Sequence, residues 1–419
     1  MKTNLLVHLV PTLPPHTGEA GEYALNLARQ LRDHCGITSR FILCDPDWNG
    51  AARIEDFIIR RLRFPNGARL WAMLKDTPAV LLHYDGGGYQ KNGLPNWLPL
   101  GIKSWLADWD CGSAPCPKQL FTVFHELWGA PAKPWRPGFC LHILQRRLVG
   151  KLHRQSRVSI TATRLGQSQL DAIEPGKTLF LPVPSSLPVL NRNRPGAARN
   201  LPLSVAIIAR PGSQSATIRA HANLLRTFDK TNRLAEVMLL GGPGQAAGSL
   251  YEQVALLQQS VSPWRIRVYE NMKPGDVSLL LNRADLFLSP LGGADACKSG
   301  PLMSALAAGC ATVLSDGRNA APLQEGVHFV ASDDTPSGVE RFGRMAAAGG
   351  LQGIASAGRT WYQQYADWKV IAQKYQLALR PPMPVAPAQE PLLAPPLWSL
   401  PAPAADVRHL SIATACQTR

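Results

Sequence analysis

Short apolar runs alternating with amphipathic stretches set the pattern of this chain. Leu5 to Val10 reads as a buried strand, and the polar loop after it opens into a helix predicted from Tyr23 to Asp33. Ala24, Leu25, Leu27, Ala28 and Leu31 share one face of that helix. Further strands are predicted at Phe41–Cys44, Phe57–Leu62, Val80–Tyr84, Leu120–Phe124, Val158–Thr161 and Thr178–Leu181. A helix from Leu141 to Ser156 puts Leu141, Leu144, Leu148 and Leu152 on one side, and it carries Arg146, Arg147, Lys151 and Arg154 with no acid. From Pro182 to Pro202 proline, asparagine and arginine take over, as in an interdomain linker. The alternation then resumes: strand Val205–Ala209, helix Ile218–Phe228, strand Val237–Leu240, helix Leu250–Gln259, strand Ile266–Tyr269 and helix Val277–Asn282. Strands alternating with helices predict open parallel sheets, which bind ligands beyond the carboxyl ends of their strands.

The stretch Ala284–Leu314 compresses this logic into one unit. A short strand ends at Pro290, and a glycine-rich loop from Leu291 to Gly300 carries Asp295 and Lys298. A helix from Pro301 to Ala308 stops at Gly309, and the strand Cys310–Leu314 follows. Such a βαβ unit aims free helix N–H groups at whatever lies over the loop, and a phosphate suits that geometry. An ordinary connection without a ligand fits the same residues.

Length divides the chain. At 419 residues it exceeds what one core usually organises, so two α/β domains with a cleft between them are expected. The expected boundaries are 1–181, a linker at 182–202, a second domain at 203–358, a returning helical segment at 359–380 and a Pro/Ala-rich disordered tail at 381–419. The net charge of +15 implies anionic company: phosphorylated small molecules, an acidic membrane surface or nucleic acid. No nucleic-acid module is recognisable, so no nucleic acid is expected as partner. No run is long and apolar enough to span a bilayer, and the N-terminal apolar run reads as a strand and not as a signal peptide. Among the eight cysteines only Cys111 and Cys116 are close, which makes a zinc site improbable and points to reduced thiols in the cytoplasm.

The order of these landmarks resembles the family 4 glycosyltransferases, which have the GT-B fold. The strand ending at Arg210, Val237–Gly244, Arg267–Met272, the segment Ala284–Pro290, Ser304–Gly309 and Tyr365–Trp368 with its following helix are similar to successive motifs of that family's donor domain. Gly18–Tyr23 and the helix after it are similar to the family's first glycine loop. The resemblance implies two Rossmann-like domains facing each other across a cleft. It implies transfer of a hexose from a nucleotide-diphosphate sugar to a glycan or lipid-linked acceptor, without metal or other cofactor and with retention of configuration. A protein of the same fold that has lost catalysis and serves as a binding or scaffold subunit is the alternative.

The departing diphosphate gains charge in such a transfer, and cations or helix amides stabilise it. The expected phosphate contacts are Gly18, Gly21, Arg210, Arg219, Lys298, Ser299 and Gly300; Gly18 and Gly21 would admit a close backbone approach. Asn271, Met272 and Ser304 are expected beside the nucleotide, with Arg219 one turn into its helix as the nearest base after Arg210. His125 is the expected catalytic residue, and His83, Glu126 and Asp295 are expected at the sugar or acceptor. Where the family carries two glutamates, this chain has Ala296 and Ser304. The basic helix 141–156, with Trp128 and Trp135 before it, is an alternative contact for anionic lipid on the inner face of the membrane.

Overall fold

The computed structural model describes residues 5–16, 18–108, 118–128, 138–190, 202–208, 211–241 and 248–380. Residues Met1–Leu379 form one compact unit built on two sheets. The first contains β1 (Leu5–Val10), β2 (Thr38–Leu43), β3 (Arg53–Ile54), β4 (Phe57–Arg61), β5 (Ala79–Tyr84), β6 (Gln119–Phe124), β7 (Val158–Thr161) and β8 (Thr178–Phe180). The second contains β9 (Leu203–Ile208), β10 (Leu234–Leu240), β11 (Ile266–Tyr269), β12 (Leu286–Leu288), β13 (Ala311–Leu314) and β14 (Val330–Ala331). Their strand orders are β3-β4-β2-β1-β5-β6-β7-β8 and β11-β10-β9-β12-β13-β14. Every pairing is parallel except β3 with β4.

Both orders reverse direction once. In the first sheet the chain steps from β1 to β2 on one side and later to β5 on the other. In the second it steps from β9 to β10 and later to β12. Loops leaving such neighbours diverge and open a crevice at the carboxyl ends, the usual ligand position in open α/β sheets. The loops after β1, β5 and β12 are therefore the ones to inspect.

The first helix runs Glu19–Cys35, starting before the expected Tyr23. Gly18 caps it, Glu19 and Glu22 meet the positive end of its dipole, and Gly36 closes it with φ 64°. The expected helix Ile218–Phe228 is two helices, Pro211–Ala220 and Ala222–Lys230. The break falls at buried His221, whose Nε2 bonds the Ser289 carbonyl at 2.8 Å and ties this corner to the loop after β12. Two helices not foreseen, Gly67–Leu74 and Trp97–Ala107, cross where a Cβ on Gly101 would meet the Gly67 carbonyl oxygen at 2.8 Å. Glycine and proline normally argue against helix; here glycine permits close packing.

The last helix, Trp368–Leu379, packs on the first sheet. Ile371, Ala372 and Tyr375 are buried with Leu6, Leu27, Leu31, Leu81, Phe121 and Ile160. Tyr375 Oη is 3.0 Å from Tyr23 Oη on the first helix, and Trp368 Nε1 donates to the Ser185 carbonyl at 2.9 Å. The expected tail 381–419 lies outside the described residues.

Candidate functional site

Four strands of the first sheet deliver polar side chains to one place. Buried His8 (β1) and His83 (β5) are linked Nδ1 to Nε2 at 3.1 Å, and His83 Nδ1 reaches His125 Nε2 at 3.2 Å. Burial of an imidazole penalises its charged form. His8 and His125 are each pushed down to about 3, and His83 well below the ordinary range. Lys298 adds a smaller downward push on His125. All three are neutral at pH 7. His83 is fully enclosed and both its nitrogens are occupied, so the expectation that it touches a sugar or acceptor is corrected: it supports His125 from beneath. Tyr23 covers the pair, its ring edge-on to His125 with centroids 5.2 Å apart.

Glu126 follows His125 and meets the other sheet. Its Oε1 accepts from Lys298 Nζ at 3.1 Å. Lys298 ends a tight helical turn, Gly293–Lys298, that stands in the expected loop after β12. This ion pair joins the carboxyl ends of β6 and β12. Asp85, at the end of β5, is half-buried and its carboxyl is raised by desolvation first, then by Glu126 and Glu19.

The helix Gly300–Ala308 begins beside Lys298. Its capacity for an anion is smaller than the sequence suggests. Pro301 has no amide hydrogen, the Leu302 amide is capped by Ser299 Oγ at 3.2 Å, and the Met303 amide bonds the Ser299 carbonyl. Only the Gly300 amide remains without a partner in this first turn among the described residues. The segment after β8 crosses this helix start: Val183 N donates to the Cys297 carbonyl, and a Cβ on Gly300 would lie 3.0 Å from Ser186 Cβ.

That segment also takes Ser304. Its hydroxyl, buried, is 2.8 Å from both the Gly300 carbonyl and Ser185 Oγ. Ala296 is fully buried in the core of this half. The two positions where the resemblance would place glutamates are therefore packed against the chain itself. Asp295 is exposed on the turn. Asn271, exposed, has a left-handed φ of 46°, and the Met272 amide donates to the Gly241 carbonyl at 3.1 Å, which joins the loops after β10 and β11.

Gly18 and Gly21 are explained by the chain's own path. A Cβ on Gly21 would lie 2.1 Å from the Thr12 carbonyl oxygen, and one on Gly18 2.6 Å from Thr12 Cγ2. The space a ligand was expected to need is filled by Thr12 and Leu13. Arg219 occupies the last turn of Pro211–Ala220, exposed, and not the first turn. This residue stands about 12 Å along the axis from the beginning of the helix. Arg210 and Gly242–Gly244 lie outside the described residues, as do Cys111, Cys116 and Trp135.

One pair was not foreseen. On the loop after β1, His16 Nδ1 is 2.7 Å from Asp45 Oδ2, which also accepts from Thr12 Oγ1 at 3.0 Å. Its Nε2 has no partner among the described residues, the arrangement of an imidazole base oriented by a carboxylate. The residues are 29 apart in sequence and meet only because β1 and β2 are neighbours. Among the described residues no three of His, Cys, Asp and Glu are grouped to hold a metal ion.

Comparison with known proteins bears on the architecture. No protein-family model matches the sequence, and no curated protein matches it. Solved structures do match over nearly the whole length. A glycosyltransferase from Rickettsia africae ESF-5 superposes with a TM-score of 0.59 at 12% identity, over 91% of this chain and 100% of that one. Sucrose-phosphate synthase from Thermosynechococcus elongatus gives 0.59 at 15%, over 89% and 98%. The pneumococcal O-GlcNAc transferase GtfA, solved in complex with UDP and GlcNAc, gives 0.58 at 9%, over 90% and 98%. The fold is GT-B. At these identities the likeness carries the fold alone, and the chemistry rests on the residues above.

Proposed function

We propose that this protein is a glycosyltransferase that moves a hexose from a nucleotide-diphosphate sugar to a glycan or lipid-linked acceptor, with retention of configuration and without a metal. The observation that carries this reading is the meeting of His125–Glu126, at the end of β6, with Lys298, before the Gly300–Ala308 helix, across the two sheets. Lys298 and the Gly300 amide receive the diphosphate, Arg210 is a further proposed phosphate contact, and His125 meets the sugar. Asn271 and Met272 lie beside the base, and Asp295 lies near the sugar. The UDP and GlcNAc bound in GtfA support a nucleotide sugar as ligand class.

Lys298 must leave Glu126 to bind phosphate, so the two carboxylate and phosphate partners compete. Lys298→Ala is expected to weaken nucleotide-diphosphate binding about tenfold, the worth of one charge-assisted hydrogen bond, and Glu126→Gln to tighten it. Titration calorimetry with UDP and uridine reads this directly. Equal losses for nucleotide and nucleoside in Lys298→Ala, or in Arg210→Ala, remove those residues from the phosphate role.

The second reading is a catalytically silent binding or scaffold protein. It is favoured by the burial of Ala296 and by Ser304 being sealed under Ser185. Transfer or hydrolysis of any nucleotide sugar by the purified protein would end it.

The lipid contact keeps one structural support. In the helix Gly138–Gln155, Leu148, Val149 and Leu152 are buried, while Ile143 and Leu144 are exposed beside exposed Arg146, Arg147, Lys151 and Arg154. Apolar and basic groups on one open surface suit an anionic headgroup layer. No helix among the described residues is long and apolar enough to cross a membrane. The protein is expected to float with liposomes containing acidic lipid and not with neutral ones; flotation independent of lipid charge would exclude this contact.

A further inference from the structure

The imidazole row does not stop at His8. His8 Nε2 lies 3.1 Å from Ser39 Oγ on β2, so an unbroken polar row crosses four neighbouring strands: Ser39, His8, His83 and His125. The rings stack, with centroids 5.3 Å apart for His8 and His83 and 5.5 Å for His83 and His125. Ser39, His8 and His83 are all buried.

A neutral imidazole has one N–H and one lone pair. Each link needs one of each, so placing a single proton determines every other, and the row can run in only two directions. Its closed end distinguishes them. Among the described residues Ser39 Oγ has no partner besides His8. If His8 donated to it, the hydroxyl hydrogen would be a buried donor without an acceptor, the costly kind of error. If Ser39 donates, every buried hydrogen in the row is used, and only the His125 Nδ1–H is left for the cleft. The open end imposes no such choice. His125 Nδ1 has no partner among the described residues and is not among the buried unpaired atoms, so water or a ligand can meet it as donor or as acceptor.

We infer that the row runs from Ser39 outward: Ser39 Oγ–H to His8 Nε2, His8 Nδ1–H to His83 Nε2, His83 Nδ1–H to His125 Nε2, leaving His125 to present Nδ1–H to the cleft. His125 is then a hydrogen-bond donor to an oxygen of the ligand, a sugar hydroxyl or a phosphate oxygen, and does not take a proton from the acceptor. Ser39, His8 and His83 are positioning residues, and a hydroxyl three side chains away decides what the cleft histidine offers. The ligand part of this inference rests on the transferase reading; the direction of the row is a property of the free protein.

The test is a long-range 1H–15N correlation spectrum of the whole protein with 15N-labelled histidine at pH 7, first without ligand. The expected result is that His8, His83 and His125 are all neutral and all in the Nδ1–H form, the minor tautomer of free histidine. An Nε2–H form at His125, or tautomers averaged by exchange as a row held only by packing would give, overturns the inference. UDP-GlcNAc is then added, and the His125 Nδ1 proton is expected to shift more than that of His8. Nδ1–H signals indifferent to every nucleotide sugar would leave the direction of the row standing and count against the transferase reading.

Discussion

Lowering the pH from 7 to 5 is expected to cost about 2 kcal/mol of unfolding free energy through His8 alone, with His83 adding to the loss in the same direction. Both are fully buried with pKa values well below that of an exposed imidazole. In the unfolded chain each takes a proton near pH 6.5. The folded protein refuses it at His8 until about pH 3, and burial holds His83 well below its ordinary value. Between those values the unfolded state binds more protons, so stability rises with pH across that window and is flat above it. The loss at pH 5 is about 2 kcal/mol for His8. His221, also buried and lowered, acts in the same direction. The neighbouring groups do not reverse the sign, because Tyr23 and Tyr375 stay protonated and Lys298 disfavours a cation at His125. Asp45, which desolvation raises but the hydrogen bonds from His16, Asp47 and Thr12 together bring below the usual carboxylate value, adds a loss in the same direction only below about pH 5. Urea unfolding at pH 7, 6 and 5 measures the slope. A free energy unchanged between pH 7 and 5 would contradict the buried, neutral row.

The second large effect concerns the last helix. Tyr375→Ala is expected to destabilise the protein by about 4 kcal/mol, the usual cost of removing a buried aromatic ring. Tyr375 is completely buried and packs among residues of the first sheet and first helix. Tyr375→Phe keeps the ring and loses only the bond to Tyr23, about 1 kcal/mol. The comparison separates packing from hydrogen bonding, since thermal melts of the two variants should differ by several degrees. Tyr23 also lies 5.6 Å from Trp368 and covers His125, so the alanine variant should alter Trp fluorescence as well. Equal melting temperatures for the two variants would mean that the helix is not held by this ring.

Much of the framework was legible one residue at a time. Periodicity located Val158–Thr161 and Ile266–Tyr269 to the residue; the first is buried over Ser159–Thr161, whereas the second is an edge strand whose Arg267 and Val268 are exposed. Gly309 ended its helix as expected, since φ 68° there suits glycine best. Two helices that contain glycine were missed, Gly67–Leu74 and Trp97–Ala107. Gly67 and Gly101 look like breakers until the partner helix that needs their missing side chains is present.

The site divides along the same line. Sequence alone determined that His125, Glu126 and Lys298 sit at ends of strands or loops, because that follows from the order of apolar runs. Only the tertiary structure decided what each one meets. Whether a glycine admits a ligand or its own backbone, as at Gly21 beside Thr12, depends on where a distant loop passes. Whether a histidine is a ligand contact or an internal link, as for His83, depends on which strands become neighbours. His8, Ser39 and His83 are separated by 31 and 75 residues from one another and carry no local signal of association. Strand order joins them, and strand order is set by packing energy summed over the whole sheet, which no local stretch of sequence contains.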